Sequence, residues 1–273
     1  MIGQKNFFLD EDIAKQFNVD RNAILMESGE GRTYRSGNIV LKHINNDSLE
    51  QTKWIIDLFH NINEDGFRVS RPIASLDGKW ITNNGWSAWI FLEGNHEYKR
   101  HIPLIINAII DFHKAIKNVP RPSFFDEDSE YRRSDRYAWG DLPNKINPKI
   151  EPLVKKLFAF RKPVEGIENQ IIHGDLGPAN ILLVDTLKPG IIDIAPYYRP
   201  VEFALAIFAY WIGPWTGDME VLKYFEKINH FDQMLVRAGI RMLMTKSEFN
   251  MQGDAYEEYS KSTNLIIKYL EQK

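Results

Sequence analysis

The sequence contains no cysteine, and this absence excludes disulfide bonds, thiolate nucleophiles and thiolate metal sites. The formal net charge of −3 gives no electrostatic basis for binding nucleic acid. The longest apolar run, Phe203 to Ile212, is about half as long as a membrane-spanning helix must be. We therefore expect neither a nucleic acid partner nor a membrane span.

Internal repeats and low-complexity segments are also absent from the sequence. The N-terminus lacks the basic start and sustained apolar core of a signal peptide, so we expect a cytoplasmic protein. A composition of 44% hydrophobic and 26% charged residues is typical of a globular protein rather than a disordered one. A chain of 273 residues is long enough for one large domain or for two lobes.

Polar residues lie at the ends of three short apolar runs in the second half of the chain. Asp175 follows Ile171-Ile172 and a His-Gly pair, Asn180 precedes the next run, and Asp193 ends the third. Glycine and proline between the first two runs indicate a loop rather than a helix. We expect these side chains to converge, because two carboxylates and an amide oxygen are hard ligands that suit Mg²⁺ together with phosphate oxygens.

The spacing of these residues is that of a kinase catalytic loop. In kinases an Asp preceded by His-x accepts the substrate hydroxyl proton, an Asn five positions later holds metal, and a second Asp holds the other metal position. Here Gly174 replaces the usual Arg, and Asp193 is followed by Ile-Ala rather than Phe-Gly.

The stretch His-Gly-Asp-Leu-x-x-x-Asn, followed by Ile-Asp, resembles the aminoglycoside phosphotransferase and choline kinase branch of the protein-kinase-like fold. The resemblance implies an α+β, bilobal architecture. Residues 1–94 would form a nucleotide-binding lobe with an antiparallel sheet and one helix. Residues 95–273 would form a mainly helical lobe that carries the catalytic residues and the acceptor site.

Simpler interpretations of this loop remain open. Asp175 and Asn180 are residue types that turns commonly use. His173 is expected to be a structural hydrogen-bonding residue rather than a metal ligand, and His113 is expected to be a buried histidine with satisfied hydrogen bonds. A metal site built from His173, Asp175 and Asp193 has no supporting ligand spacing elsewhere in the sequence.

The N-terminal region reads as strand, glycine loop, strand, turn, strand. Gly29 and Gly31 lie in the loop, where glycine lets the backbone approach a ligand closely. Lys42 lies near the end of the third strand. This order matches the kinase scheme, in which a glycine-rich loop covers the phosphates of ATP and a third-strand lysine pairs with them.

Two further nucleotide-site assignments concern the end of this region. Glu50 opens a helix that runs to about Asn61, and it is either the third residue of a capping box headed by Asp47 or the partner of the strand lysine. The resemblance implies that the strand ending at Phe91 and Leu92 leads into a hinge whose backbone meets the adenine.

The remaining segments are assigned more coarsely. Arg71–Leu76 and Lys79–Thr82 are patterned as strands, residues 119–147 as a loop-rich insertion, and residues 217–228 as a helix. The acidic run at residues 126–130 is most simply a solvated surface, but it could also border an acceptor site.

We therefore expect an ATP-dependent phosphotransferase that acts on a hydroxyl of a small molecule, with ATP and Mg²⁺ as cofactors. Asp175 would deprotonate the acceptor, and Asn180 and Asp193 would hold the metal. The acidic run would suit a cationic acceptor, whereas Arg199 would suit a carboxylate or phosphate, and these alternatives stay open together with the oligomeric state.

Two other classes of protein compete with this interpretation. A protein kinase has a long activation segment that ends in Ala-Pro-Glu, but here about seven residues separate Asp193 from the next helix and no Ala-Pro-Glu follows. A nucleotide-binding regulatory module without turnover would use the same pocket and remains the second alternative.

Overall fold

A computed structural model describes residues 6–26, 31–44, 49–143, 145–250 and 255–273. The strands are β1 (Asn6–Phe8), β2 (Asn22–Leu25), β3 (Thr33–Ser36), β4 (Ile39–His43), β5 (Arg68–Val69), β6 (Pro72–Ile73), β7 (Trp86–Ile90), β8 (Gln170–His173), β9 (Ile181–Leu182), β10 (Gly190–Ile191) and β11 (Pro196–Arg199). The helices are α1 (Glu11–Phe17), α2 (Leu49–Asn61), α3 (Ile102–Ala115), α4 (Glu130–Trp139), α5 (Glu151–Phe160), α6 (Val201–Ile212), α7 (Phe231–Glu248) and α8 (Ala255–Glu271).

The chain divides into two compact units. The N-terminal unit comprises Met1–Asn95 and Leu182–Ile192, and the C-terminal unit comprises His96–Ile181 and Asp193–Lys273. The segment Leu182–Ile192 thus returns to the N-terminal unit, whereas the sequence placed one boundary near residue 94. The return has a structural reason, because β10 pairs in parallel with β5 and Leu183 pairs with Asn95.

The N-terminal unit is built on a six-stranded sheet in the order β1-β2-β3-β4-β7-β6, in which every neighbouring pair is antiparallel. The β3–β4 hairpin turns at Gly37, whose φ of +58° favours glycine. Ile13 and Phe17 lie one turn apart on α1 and are buried, and they pack in one core with Leu41 of β4.

Of two strand predictions in this unit, one is confirmed only in part and the other is wrong. Of Arg71–Leu76 only β6 forms, and Lys79–Thr82 contains no strand. The backbone N–H of Ser75 donates to the carbonyl of Lys79 at 2.8 Å, and the Ser75 hydroxyl donates to Asp77 at 2.6 Å. These two hydrogen bonds close a tight turn between Ser75 and Lys79. The Ser75 N–H and the Lys79 carbonyl are therefore paired with each other and do not pair with a neighbouring strand.

The C-terminal unit is mainly helical and encloses the two-stranded ribbon of β8 and β11. Its central helix is α6, of which nine of the 12 residues are buried. A helix that is apolar on all sides must lie inside the protein, so α6 forms the interior of this unit. Pro103 lies in the first turn of α3, where its missing N–H removes no helix hydrogen bond.

One loop prediction and one helix prediction in this unit are corrected by the structure. The insertion at residues 119–147 contains α4. Its N-cap residue is Ser129, whose hydroxyl accepts from the backbone N–H of Arg132. The many charges concealed this helix, but its buried side carries Ser134, Tyr137 and Ala138 at helical spacing. Residues 217–228 contain a 3₁₀ helix, Met219–Phe225, rather than an α-helix.

Candidate active site

Asp175 follows a strand that is buried along its whole length. All four residues of β8 are buried, and β8 pairs antiparallel with β11 so that His173 lies opposite Pro196. The chain leaves the interior after Gly174, and Asp175 is exposed. The buried strand β8 thus fixes the position of Asp175, whose carboxylate is exposed to solvent.

Two buried histidines hold the end of this strand. His113 Nδ1 donates to the carbonyl of Ile109 at 2.6 Å, and His113 Nε2 accepts from the backbone N–H of His173 at 3.1 Å. Burial lowers the pKa of His113 to about 3, so its ring is neutral and can serve as an acceptor. The expectation of a satisfied core histidine is confirmed. His173 Nδ1 in turn lies 3.2 Å from the backbone N–H of Asp175, which agrees with a structural role.

The side chain of Asn180 is oriented by the backbone of Asp175. The carbonyl of Asp175 accepts from the Asn180 side-chain amide at 2.7 Å and from the backbone N–H of Gly177 at 3.0 Å. Because the nitrogen of the amide is engaged, its oxygen is the atom oriented to act as a ligand. The hydrogen bond between the Asn180 side chain and the Asp175 backbone closes the loop, and it depends on the spacing of five residues between them.

His96 holds the same loop from another part of the C-terminal unit. His96 Nδ1 lies 3.1 Å from the carbonyl of Pro178 and 2.9 Å from that of Ile181, on either side of Asn180. These contacts span 82 and 85 positions of sequence. Sequence reasoning missed His96, because no local pattern connects it with the loop.

Gly174 is fixed by two residues that sequence reasoning also missed. A β-carbon at residue 174 would lie 2.0 Å from Cδ2 of the Tyr197 ring, so only glycine fits there. The buried guanidinium of Arg241 donates to the carbonyl of Gly174 and lies 4.2 Å from the centre of the Tyr197 ring. Burial is the main cause that raises the pKa of Tyr197, so its hydroxyl stays protonated.

Asp193 lies beside this loop and has an unusual backbone conformation. Its φ is +53°, a left-handed value that is uncommon outside glycine, and its side chain is exposed. The backbone N–H of Gly174 donates to the carbonyl of Ala195 at 2.7 Å, which joins the two loops. The segment that contains Asp193 is therefore joined through its backbone to the loop of Asp175 and Asn180, and a left-handed backbone of this kind is often found at functional sites.

This donor set suits a metal that is shared with a ligand. Within the described residues, no group of three or more His, Asp or Glu side chains is arranged to hold a metal ion. Asn180 and Asp193 supply one amide oxygen and one carboxylate. Mg²⁺ usually binds through one or two carboxylates plus phosphate oxygens rather than in an all-protein cage, so these residues fit Mg²⁺ that arrives with a nucleotide.

The expected phosphate-binding residues lie in the N-terminal unit. Lys42 is in β4, paired with Thr33 and Ser87, and its Nζ lies 5.8 Å from the centre of the Trp89 ring. Gly31 has a φ of +73°, and a β-carbon there would meet no atom of the described residues within 4 Å. Gly29 lies outside the described residues.

The other two nucleotide-site assignments are also located in this unit. Glu50 is in the first turn of α2, whereas its proposed capping partner Asp47 lies outside the described residues. The backbone N–H of Phe91 donates to the carbonyl of Asn38 at 2.9 Å. That N–H group of Phe91 is therefore engaged within the N-terminal unit, and Leu92 follows it in the chain.

The acidic run at residues 126–130 and Arg199 have partners within the protein. The carboxylates of the run form ion pairs with arginines: Asp126 with Arg121, Glu127 with Arg132, Asp128 with Arg133 and Arg136, and Glu130 with Arg133. Arg199 pairs with the buried carboxylate of Asp135. The charges that seemed available for an acceptor are thus largely compensated.

Residues 28–220, more than half of the chain, match the family described as "Phosphotransferase enzyme family", and the chain belongs to this family. No curated protein sequence gives a significant match. Among the described residues, no helix combines the length and the apolar character needed to cross a membrane.

Solved structures with the same fold include three small-molecule kinases. Spectinomycin phosphotransferase, in complex with ADP and spectinomycin, has a TM-score of 0.61 at 16% identity, over 96% of this chain and 97% of that chain. Amicoumacin kinase, in complex with AMP-PNP, Ca²⁺ and Ami, has a TM-score of 0.61 at 13% identity, over 96% and 94%. Choline kinase LicA from Streptococcus pneumoniae has a TM-score of 0.58 at 11% identity, over 90% and 93%. The expected α+β, protein-kinase-like fold is confirmed.

Proposed function

We propose that this protein transfers the γ-phosphoryl group of ATP to a hydroxyl of a small molecule, with the cytoplasm as its location. The observation that carries the proposal is the hydrogen-bonded loop of an exposed Asp175 and an oriented Asn180. A backbone hydrogen bond from Gly174 to Ala195 joins this loop to the segment of the left-handed Asp193. Family membership and the ADP and AMP-PNP in the complexes of two similar structures support a nucleotide donor.

Asp175 is assigned the role of general base. Its carboxylate accepts the hydroxyl proton as the acceptor oxygen forms its bond to the γ-phosphorus and the bond to the leaving ADP oxygen breaks. The backbone of Asp175 is held by Asn180 and Gly177, so the carboxylate needs little reorganisation during the reaction.

Asn180 and Asp193 are assigned to Mg²⁺, which neutralises phosphate charge when it is bound. Lys42 and the backbone around Gly31 are assigned to the phosphates, and Gly29, Glu50, Phe91 and Leu92 remain the other proposed contributors to the nucleotide site. We further propose that the N-terminal unit binds the nucleotide and the C-terminal unit binds the acceptor.

The short segment after Asp193 favours a small-molecule acceptor over a peptide. Seven residues separate Asp193 from α6, and four of them form β11, which is paired with β8. A protein kinase uses this region as a long activation segment. Here most of the corresponding residues belong to the two-stranded ribbon of β8 and β11.

The test is an ATP-consumption screen over aminoglycosides, choline-like amines, sugars, nucleosides and amino alcohols, repeated with Asp175→Asn. This variant keeps the size of the side chain but removes the base, so turnover with the acceptor should fall by about 10² to 10⁴-fold. Binding of Mg²⁺-ATP, measured by calorimetry, should stay close to that of the parent protein.

Asp185→Asn is the matched control, because Asp185 is an exposed aspartate outside the loop, and its turnover should equal that of the parent. Loss of both ATP binding and turnover in Asp175→Asn would assign this residue to the metal or to the fold. If the parent binds ATP but phosphorylates no acceptor, a nucleotide-binding module without turnover becomes the better description.

A further inference from the structure

Three arginines gather around Trp139 at the C-terminal end of α4. The guanidinium carbons of Arg199 and Arg237 lie 5.0 and 4.9 Å from the centre of the Trp139 ring. Arg161 Nη1 lies 3.2 Å from the point where a β-carbon on Gly140, the residue after Trp139, would be. These side chains come from β11, α7 and the residue that follows α5, and they form what we term the arginine cluster.

Several polar atoms of the arginine cluster lack a partner. Arg237 donates from Nη1 to the carbonyl of Gln233 and from Nη2 to that of Lys162. Its Nε, the Nε of Arg161 and the indole Nε1 of Trp139 are buried and have no hydrogen-bond partner among the described residues. Buried donors are rarely left unpaired, because each costs about 1–3 kcal/mol.

The charge of the cluster is also incompletely balanced. The carboxylate of Asp135 contacts it, pairing through Oδ2 with Nε and Nη2 of Arg199. Arg237 is 3% exposed, and its pKa is lowered to about 10, first by burial and then by the positive charges of Arg161 and Arg199. A buried cation whose nearest charged neighbours include two cations is a strong site for an anion.

Asp135 contributes an unpaired hydrogen-bond acceptor to the arginine cluster, in addition to the unpaired donors. Its Oδ1 is buried and has no partner among the described residues. An ionised carboxylate can only accept hydrogen bonds, so a ligand that contacts it must carry a hydrogen-bond donor, which in an oxyanion is an O–H. The cluster thus combines N–H donors for an oxyanion with one acceptor for a hydroxyl.

We propose that Trp139, Arg161 and Arg237, together with Asp135, form a binding site for hydrogen phosphate. This ion carries both the oxygens that the N–H donors need and the O–H that the carboxylate needs. Sulfate lacks the proton at neutral pH, and a water molecule would leave the positive charge uncompensated. Trp139 and Arg161 are only partly buried, so the site opens to solvent.

The site is separate from Asp175. In the β8–β11 ribbon Arg199 lies opposite Gln170, whereas Pro196 lies opposite His173 at the catalytic end. Three residues of strand correspond to roughly 10 Å. The proposal therefore does not depend on the activity proposed above.

The experiment follows the indole N–H signal of Trp139 in ¹H–¹⁵N spectra of the full chain, assigned with Trp139→Phe, while inorganic phosphate is added. We expect this signal to shift and to saturate, with sulfate at least about tenfold weaker, since a buried carboxylate oxygen facing an aprotic anion loses a hydrogen bond. Phosphate that binds at the catalytic loop would not give this response in Trp139.

Arg161→Gln should weaken phosphate binding by about tenfold, because one charge-assisted hydrogen bond is lost. The Nε of Arg161 has no hydrogen-bond partner among the described residues and its side chain is partly exposed, so the variant should fold normally. Lys156→Gln is the matched control, an exposed lysine on α5 that should leave binding unchanged. An unsaturable shift, equal binding of sulfate, or equal effects of the two variants would each overturn the proposal.

Discussion

The ring of Tyr197 lies against Gly174 so closely that a β-carbon on residue 174 would be 2.0 Å from Cδ2 and 2.6 Å from Cε2. Gly174 occupies the position where kinases of the His-Arg-Asp type have arginine. In this chain an arginine contributed by α7, Arg241, reaches the same point from outside the loop and donates to the Gly174 carbonyl. The glycine thus belongs to a tertiary packing arrangement, and it needs no special backbone angle.

We expect Gly174→Ala to destabilise the protein by roughly 1–3 kcal/mol, the usual cost of forcing an extra carbon into a packed site. Urea unfolding measures this change. Gly177→Ala is the matched control, since a β-carbon there would lie 3.4 Å from Trp211, an ordinary contact. Equal unfolding midpoints for the two variants would show that Tyr197 moves aside without cost.

His113 should make stability depend on pH. Its pKa is 6.5 in the unfolded chain and about 3 in the fold, because burial disfavours the charged ring. Between these values the unfolded chain binds the proton and the folded protein does not, so stability falls as the pH falls below about 6.5. The slope is roughly 1.4 kcal/mol per pH unit for this one group.

The comparison variant for this effect is His113→Gln, which cannot titrate. Urea unfolding at pH 7, 6 and 5 measures the free energy of unfolding. For the variant this free energy should change less steeply with pH than for the parent protein, by an amount that corresponds to about one proton taken up on unfolding. The variant should also be less stable at pH 7, because the two hydrogen bonds of His113 are disturbed. An unchanged slope would mean that the ring is protonated in the fold.

Lys42 and Asp193 should both contribute to nucleotide binding. Mg²⁺-ATP at a hundred times its dissociation constant should stabilise the parent protein by roughly 2.7 kcal/mol. Lys42→Ala and Asp193→Ala should each reduce this gain, and Lys53→Ala, which removes an exposed lysine of α2, should not. If the two site variants keep the full stabilisation, the nucleotide binds elsewhere.

The role of Glu50 can be decided by turnover and stability together. If Glu50 pairs with Lys42, Glu50→Gln should lower turnover while the unfolding midpoint stays nearly constant, because Gln also fills the third position of a capping box. The double variant with Lys42→Ala should then show strong non-additivity in turnover. Additive effects would favour the capping role.

The sequence by itself determined the residues of the candidate catalytic loop and much of the secondary structure around it. Asp175 and Asn180 are joined by a hydrogen bond across five positions, and glycine and proline limit the paths that so short a loop can follow. Local spacing therefore predicted their proximity. Strands β2, β3, β4 and β7 of the sheet and the buried helix α6 were also predictable, because their apolar patterns extend over several neighbouring residues.

Tertiary structure alone decided which residues hold that loop and which charges remain uncompensated. Arg241 reaches Gly174 across 67 positions, and Asp135 pairs with Arg199 across 64. Helix α4 was hidden because its charges find partners on other segments, such as Glu248 for Arg133. Hydrogen bonds and ion pairs between residues so far apart in sequence depend on how whole helices and strands pack. A local sequence pattern does not determine that packing.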